Sequence, residues 1–455
     1  MSSTGVNLNS LGLNSSTVNS GYGIDVTAVV EQILNAARGP ERLWQQQQSA
    51  LSAQSSALTS INSSLSALQS AMRALSDVSG IISAKTAISS QTGILTASAQ
   101  TSAASGNHLI VVSNLATVAS SYSDAMASSD TTFATGTITL KVGNTSTDIT
   151  VDGTNNTISS LAKAINDKNL GVTATVINDA TGARLALVSK TTGEPGDLTI
   201  TGNTSGLIFH KSVAGQNASL TIDGVPFSSA TNTISGAMEG VTLTLVSAAP
   251  STPVQLSVGP NTSAAGQAVK DFVSAYNAVI RAINAQFTYN SSTNTAGPLA
   301  SNSSLRSLQS SLLGDVTFAM AENNGYQSLA SFGINMANDG TLSADDAVLS
   351  GVLSNHYLEF QSFFQTAATG FGTHFSADLT TLTSPTQGIL NANLTQIKNQ
   401  QKTLSDTISD FEDHLAAREQ LLIKQYSQVD AMLRQYPMLM QQITEQLNVL
   451  DQNKK

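Results

Sequence analysis

Hydrophobic residues recur every three or four positions near both ends of this 455-residue chain, and every second position in parts of its middle. Val30, Ile33 and Ala37 open the first series, which Trp44, Leu51, Leu58, Ile61, Leu65, Leu68, Met72 and Leu75 continue in the same phase. The second holds Leu394, Ile397, Leu404, Ile408, Phe411, Leu415, Leu422, Val429, Met432 and Tyr436. An apolar residue about every 3.5 positions winds a seam along one side of a helix, and that seam needs a partner. The spacing predicts helices over 26–37 and 41–77, the second about 55 Å long, and a C-terminal helix after Gly388 of about 90 Å. Asp25 is the expected N-cap of the first. Gly39-Pro40 is expected to interrupt the N-terminal pair and Pro437 to kink or end the last helix, because proline lacks the donor a helix interior uses. Gln47 and Gln54 occupy seam positions, so this half should pair less tightly than Leu58 to Leu75.

The middle changes period. Helical character stops near Gly80, and Ile110 to Ser113 and Thr137 to Val142 read as strands, with Ile138, Leu140 and Val142 alternating with polar neighbours. An internal repeat follows. Asn156-Thr157-Ile158-Ser159 leads through Leu161, Ala164 and Ile165 to Gly171-Val172-Thr173-Ala174; Asn232-Thr233-Ile234-Ser235 leads to Gly240-Val241-Thr242-Leu243. Each copy is expected to hold an Asp-Gly turn (Asp152-Gly153, Asp223-Gly224), a capped short helix and a glycine-led strand. Beyond Pro260 helical spacing returns, with Val269, Phe272, Val273, Tyr276, Val279, Ile280 and Ile283 on one face. Leu305, Leu308, Leu312 and Leu313 mark another helix, Asp339-Gly340 a turn, and residues 352–364 a further helix.

The fold class this implies is α+β and multidomain: terminal helices pairing as a coiled-coil or helical-bundle stalk, with β-rich head domains inserted mid-chain. The expected parts are a disordered tail (1–22), N-terminal leg helices (23–80) and a first head domain (81–132 and 206–262). A second head domain (133–205) is inserted in the first, followed by a helical domain on the N-terminal helix (263–384) and a C-terminal leg (385–455). The candidate functional residues are those of the seam: Leu51, Leu58, Ile61, Leu65, Leu68, Met72, Leu75, Leu404, Ile408, Phe411, Leu415, Leu422 and Val429.

Composition narrows the function. Charged residues make up 11% of the chain, against about 25% in ordinary soluble proteins, so its surfaces can pack on copies of themselves with little repulsion. A net charge of −10 without a Lys/Arg cluster argues against nucleic acid. No cysteine means no disulfide, thiolate metal site or cysteine nucleophile. Met1 to Ser20 lacks a cleavable signal peptide, and no apolar run approaches the ~20 residues that span a bilayer. The histidines (His108, His210, His356, His374, His414) are scattered and read as surface or packing residues. Asn338-Asp339-Gly340 lacks the further carboxylates of a calcium loop. Ser160-x-x-Lys163 lacks the companion motifs of penicillin-recognising enzymes. No P-loop or G-x-G-x-x-G is present. The expectation is a non-enzymatic assembly component without cofactor, metal or membrane insertion.

Gly23-Ile24-Asp25-Val26 with Val29-Val30-Glu31-Gln32-Ile33-Leu34, followed by Ala36 to Trp44, resembles the opening of the flagellar filament cap family, also called hook-associated protein 2. The first repeat resembles the flagellin hook IN motif, and Thr221-Ile222-Asp223-Gly224-Val225 its companion. Val269-Lys270-Asp271-Phe272-Val273-x-x-Tyr276-Asn277, Gly297-Pro298-Leu299, Leu305-Arg306, Phe332-Gly333-Ile334 and Asp339-Gly340-Thr341-Leu342 continue the resemblance in order. It implies a ring-shaped homo-oligomer at the tip of the growing flagellum: a pentamer, with tetramer and hexamer as alternatives. Terminal helices would be its legs, and flagellin would be folded and inserted beneath it. Implied partners are flagellin, the hook–filament junction protein and a cytoplasmic export chaperone at the C-terminal end, with host mucin for some members. The implied route out of the cell is the flagellar type III channel. Another axial protein (flagellin or a junction protein) and a secreted adhesin with a β-rich binding head are the competing readings.

Overall fold

The computed structural model describes residues 18–19, 23–292 and 294–452. The expected tail 1–22 lies outside them except Val18–Asn19, which pairs antiparallel with Gly23–Ile24. The helices, in chain order, are α1 (Val26–Ala37), α2 (Gly39–Ser76), α3 (Ile158–Asp167), α4 (Thr262–Phe287), α5 (Ser303–Val316), α6 (Asp346–Asn355), α7 (Tyr357–Gln365), α8 (Phe371–Thr383) and α9 (Ile389–Gln452). They and the strands fall into two compact units. One holds the chain up to Arg73, Lys270–Asp346 and the chain from Thr366; the other holds Ala74–Val269 and Ala347–Gln365.

The first unit is helical. Asp25 caps α1 as expected, accepting the Ala28 N–H at 3.0 Å from an extended backbone. Gly39-Pro40 interrupts the helix by Arg38 alone, because Pro40 falls in the first turn of α2, where a missing N–H costs nothing. Arg38 pairs with Glu41 at 2.8 Å across the joint, and Gln45 donates to the same carboxylate at 3.0 Å. On α4, Phe272 meets Phe371 and Phe375 of α8 edge-on, at centroid distances of 6.0 and 5.9 Å. Asn277, one turn on, donates to the Leu342 carbonyl at 2.7 Å and accepts the Leu342 N–H at 2.6 Å. That clamps the hairpin of Ile334–Met336 and Leu342–Ala344, whose turn holds Asp339-Gly340.

Two expectations about helices are narrowed or corrected. Of the two outcomes expected at Pro437, ending the helix is excluded, since α9 runs through it for 64 residues, about 96 Å. One backbone bond is lost there, while Met, Leu, Gln and Arg on either side favour the helix. The helix expected over 352–364 is two, α6 and α7, separated at His356.

The second unit holds two cores. In one, Ile110, Val112, Leu220, Leu243, Val254 and Leu256 are buried. They lie on a five-stranded antiparallel sheet (Val225–Ser229, Ala218–Ile222, Gly106–Asn114, Val254–Pro260, Lys85–Ser89, in spatial order) and a three-stranded sheet (Thr233–Met238, Val241–Leu245, Leu95–Ala99). In the other, Ile158, Leu161 and Ile165 of α3 join Ile138, Leu140, Ile149, Leu185 and Leu187. Its sheets are Phe209–Val213, Val118–Ser123, Gly182–Thr192, Val172–Asp179 and Leu198–Asn203, Gly136–Val142, Thr145–Val151. Thr157 and Ser160 form the capping box that starts α3.

The repeat holds only in part. Asp223-Gly224 is the two-residue hairpin turn expected, with both residues at positive φ (51° and 83°), the pattern of a type I′ turn. The second copy has no helix: Thr233–Met238 is a strand paired with Val241–Leu245, bulged between Ser235 and Met238. Only Ser235 to Glu239 separates Ile234 from Gly240, a single turn, and one turn does not repay helix nucleation.

Candidate functional site

The terminal helices pair within one chain, and they run antiparallel. Ile24 donates its N–H to Asp430 Oδ1 at 2.9 Å. Val30 and Leu34 of α1 cluster with Leu415, flanked by Phe411, Leu422 and Tyr426. Trp44 stands edge-on to Phe411 at 5.2 Å. Gln401 donates to Ser52 Oγ at 3.2 Å, and Asn62 to Asn391 at 3.4 Å. Each step up the N-terminal helices is matched by an equal step down α9, which is the register of an antiparallel hairpin.

The seam residues divide by position. Leu58, Ile61, Leu65, Leu68, Met72 and Leu75 are buried to 1% exposure or less; Leu51, Leu404 and Leu415 are buried; Ile408, Phe411 and Leu422 are half-buried. Val429, expected in the seam, is 44% exposed, and Met432 and Tyr436 are more so. The cause is length: α1 begins at Val26, and by the register above Val429 already stands level with its N-cap. Gln47 is exposed and Gln54 half-buried. Beside Gln47 the pair parts into an open groove of about 700 Å³, lined by Trp44, Leu51, Thr403, Leu404 and Thr407. The weaker packing expected of this half is visible there.

Two features lie outside the buried seam. Asp430 receives Ile24 and also the Arg434 guanidinium, at 2.8 Å; the Ile24 N–H bond first, then Arg434, holds its carboxyl below the usual carboxylate range. Because the shift is downward, this anchor holds at all pH values above the ordinary range and is lost only as pH falls through the lowered value. Asp430→Asn is expected to speed exchange of the Ile24 amide without altering exchange in α4; equal protection in both proteins would refute it. The other feature is an apolar surface on α9 past the hairpin, where Met432, Leu433, Tyr436, Met438, Leu439 and Ile443 are all exposed.

Residues 22–119 match the family described as the flagellar hook-associated protein 2 N-terminus, 215–437 the one described as its C-terminus, and 137–191 the flagellin hook IN motif. The B-type flagellar hook-associated protein 2 of Pseudomonas aeruginosa is 30% identical over 378 residues, 75% of this chain and 78% of that protein. The chain belongs to the flagellar hook-associated protein 2 family. The hook-associated protein 2 of Escherichia coli K12 is 27% identical over 326 residues, 65% of this chain and 68% of that protein. The crystal structure of the D1-D2-D3 domains of the E. coli flagellar cap protein FliD superposes with a TM-score of 0.57 at 28% identity, covering 75% of this chain and 99% of that one.

As a hook-associated protein 2, this is an exported structural protein of the filament tip, where it caps the filament, promotes flagellin folding and insertion, and prevents flagellin loss. The alternatives, another axial protein or an adhesin, are not favoured. No helix among the described residues is long and apolar enough to cross a membrane.

Proposed function

We propose that the α1–α2/α9 hairpin is the leg of this cap, and that the apolar end of α9 is its docking surface. The observation that carries this is the run of exposed Met, Leu, Tyr and Ile side chains from Met432 onward, on a helix that outlasts its partner within the chain. Burying each such side chain contributes about 1.5–3 kcal/mol, so a helix left bare there favours association. Before export the surface would be covered by a cytoplasmic chaperone, and at the tip by flagellin or a neighbouring leg. Exit through the type III channel and contact with the junction protein belong to the same reading.

The cap is a ring of identical subunits, a pentamer before a tetramer or hexamer, with the β modules as its heads. We place the inserted head module at 118–213 rather than 133–205, because Val118–Ser123 and Phe209–Val213 belong to its sheet. Pairing Met432→Lys with Tyr436→Lys tests the docking surface without touching a buried position. The expected result is an unchanged melting curve, and a cap-deficient strain left leaking flagellin into its medium. Filaments of normal length from that variant would refute the docking role. Electron microscopy of the wild-type protein reads the ring number.

A further inference from the structure

Asp315, at the C-terminal end of α5, and His374 and Asp378, one turn apart on α8, place three donor atoms within 4.8 Å of one another. His374 Nε2 stands 3.7 Å from Asp315 Oδ1 and 3.9 Å from Asp378 Oδ2. The histidine ring is stacked on Phe318, with centroids 4.8 Å apart and planes at 22°, which holds its orientation. Asp315 is only 5% exposed, and its Oδ2 is buried with no hydrogen-bond partner. Asp315 Oδ1 faces the imidazole and its carboxyl lies beside that of Asp378, while its other oxygen is buried without a partner. A carboxylate so placed is costly unless a cation or a proton shares the space.

We propose that Asp315, His374 and Asp378 form a binding site for a divalent metal ion of the zinc class. Zinc takes imidazole nitrogen and carboxylate oxygen at about 2.0–2.2 Å, which sets neighbouring donors about 3.3 Å apart around a tetrahedral ion. Closing from the present separations takes small side-chain rotations. His374 and Asp378 share one face of α8 because i and i+4 positions do. Asp315 comes from the negative end of the α5 dipole, which favours a cation. One imidazole with two carboxylates suits zinc or manganese and not copper(I), which prefers thiolates. His374 and Asp378 are 43% and 42% exposed, which gives an ion a way in and water a fourth position. A bound ion ties α5 to α8 within the helical unit and, binding only the folded form, stabilises it.

The competitor for the space is a proton: burial, then Asp378, push the Asp315 carboxyl up to about 7. The test is calorimetric titration of ZnCl₂ into untagged, chelator-treated full-length protein at pH 7.5. The expected result is one ion per chain, with at least about tenfold weaker binding in His374→Ala and in Asp378→Asn. Zinc should also raise the wild-type melting temperature by about 3 °C and leave those variants unmoved. His210→Ala, which removes a histidine paired elsewhere with Asp124, should bind as wild type does. Because His374 and Asp378 are partly exposed, their variants keep the fold, checked by circular dichroism. Absence of binding up to millimolar zinc, or binding that survives His374→Ala, would overturn the site. So would a wild type indifferent to zinc whose only gain comes from Asp315→Asn at alkaline pH, which would leave the proton as the occupant.

Discussion

Leu65→Asp is expected to melt the helical unit and leave the two β cores folded. Leu65 is fully buried on α2. It lies between Asn62, hydrogen-bonded to Asn391 of α9, and Gln69, hydrogen-bonded to Thr380 of α8. The substitution removes about 1.5–3 kcal/mol of apolar burial and leaves a carboxylate without a partner. Together these exceed about 4–5 kcal/mol, a large part of the 5–15 kcal/mol that holds a domain together. The measurement is built in, since the chain has one tryptophan and Trp44 sits in this unit against Phe411. Tryptophan emission should shift red at a temperature where the β signal in circular dichroism persists. An emission transition coincident with wild type would refute it. Leu65→Ala should shift the same transition less, by the 2–5 kcal/mol of a buried leucine truncation.

Phe272→Ala should cost about 3–5 kcal/mol. Its ring is fully buried and meets Phe371, Phe375 and Tyr276 at 5.9 to 6.3 Å. The edge-on contacts with Phe371 and Phe375 add to the area the ring buries, and the void left by truncation is bounded by rigid neighbours that close it poorly. Urea unfolding followed by Trp44 emission gives the number as a lowered midpoint at constant slope. A stability within about 0.5 kcal/mol of wild type would mean α8 repacks onto α4 and that the aromatic cluster is not the centre of this unit.

How much of this could be read from the chain depends on period. Leu58 to Leu75 lie at helical spacing and are all buried, and Ile138 and Leu140 alternate and are buried too. Periodicity reports which side of an element faces inward, so it found those residues. It does not report where a partner ends. Val429 continues the spacing of Leu422 yet stands exposed, because what covers it depends on a helix start four hundred residues away. Pro437 does not end its helix, because the local cost of one lost backbone bond is outweighed over 64 helical residues. The second repeat failed on length, since its motif residues recur without the ten residues that make α3. Asp315, His374 and Asp378 left no signal, because 59 positions separate the first from the second and only the packing of α5 with α8 joins them.

The hairpin of the chain's two ends also fixes an order of events. Ile24 meets a residue 406 positions later, whereas turns such as Asp223-Gly224 join strands that are adjacent in sequence. Contacts this distant wait on the closure of an immense loop, so they form late. On refolding, the β modules can therefore close on contacts among nearby segments before the hairpin assembles, and the apolar surface at the far end of α9 takes its place late.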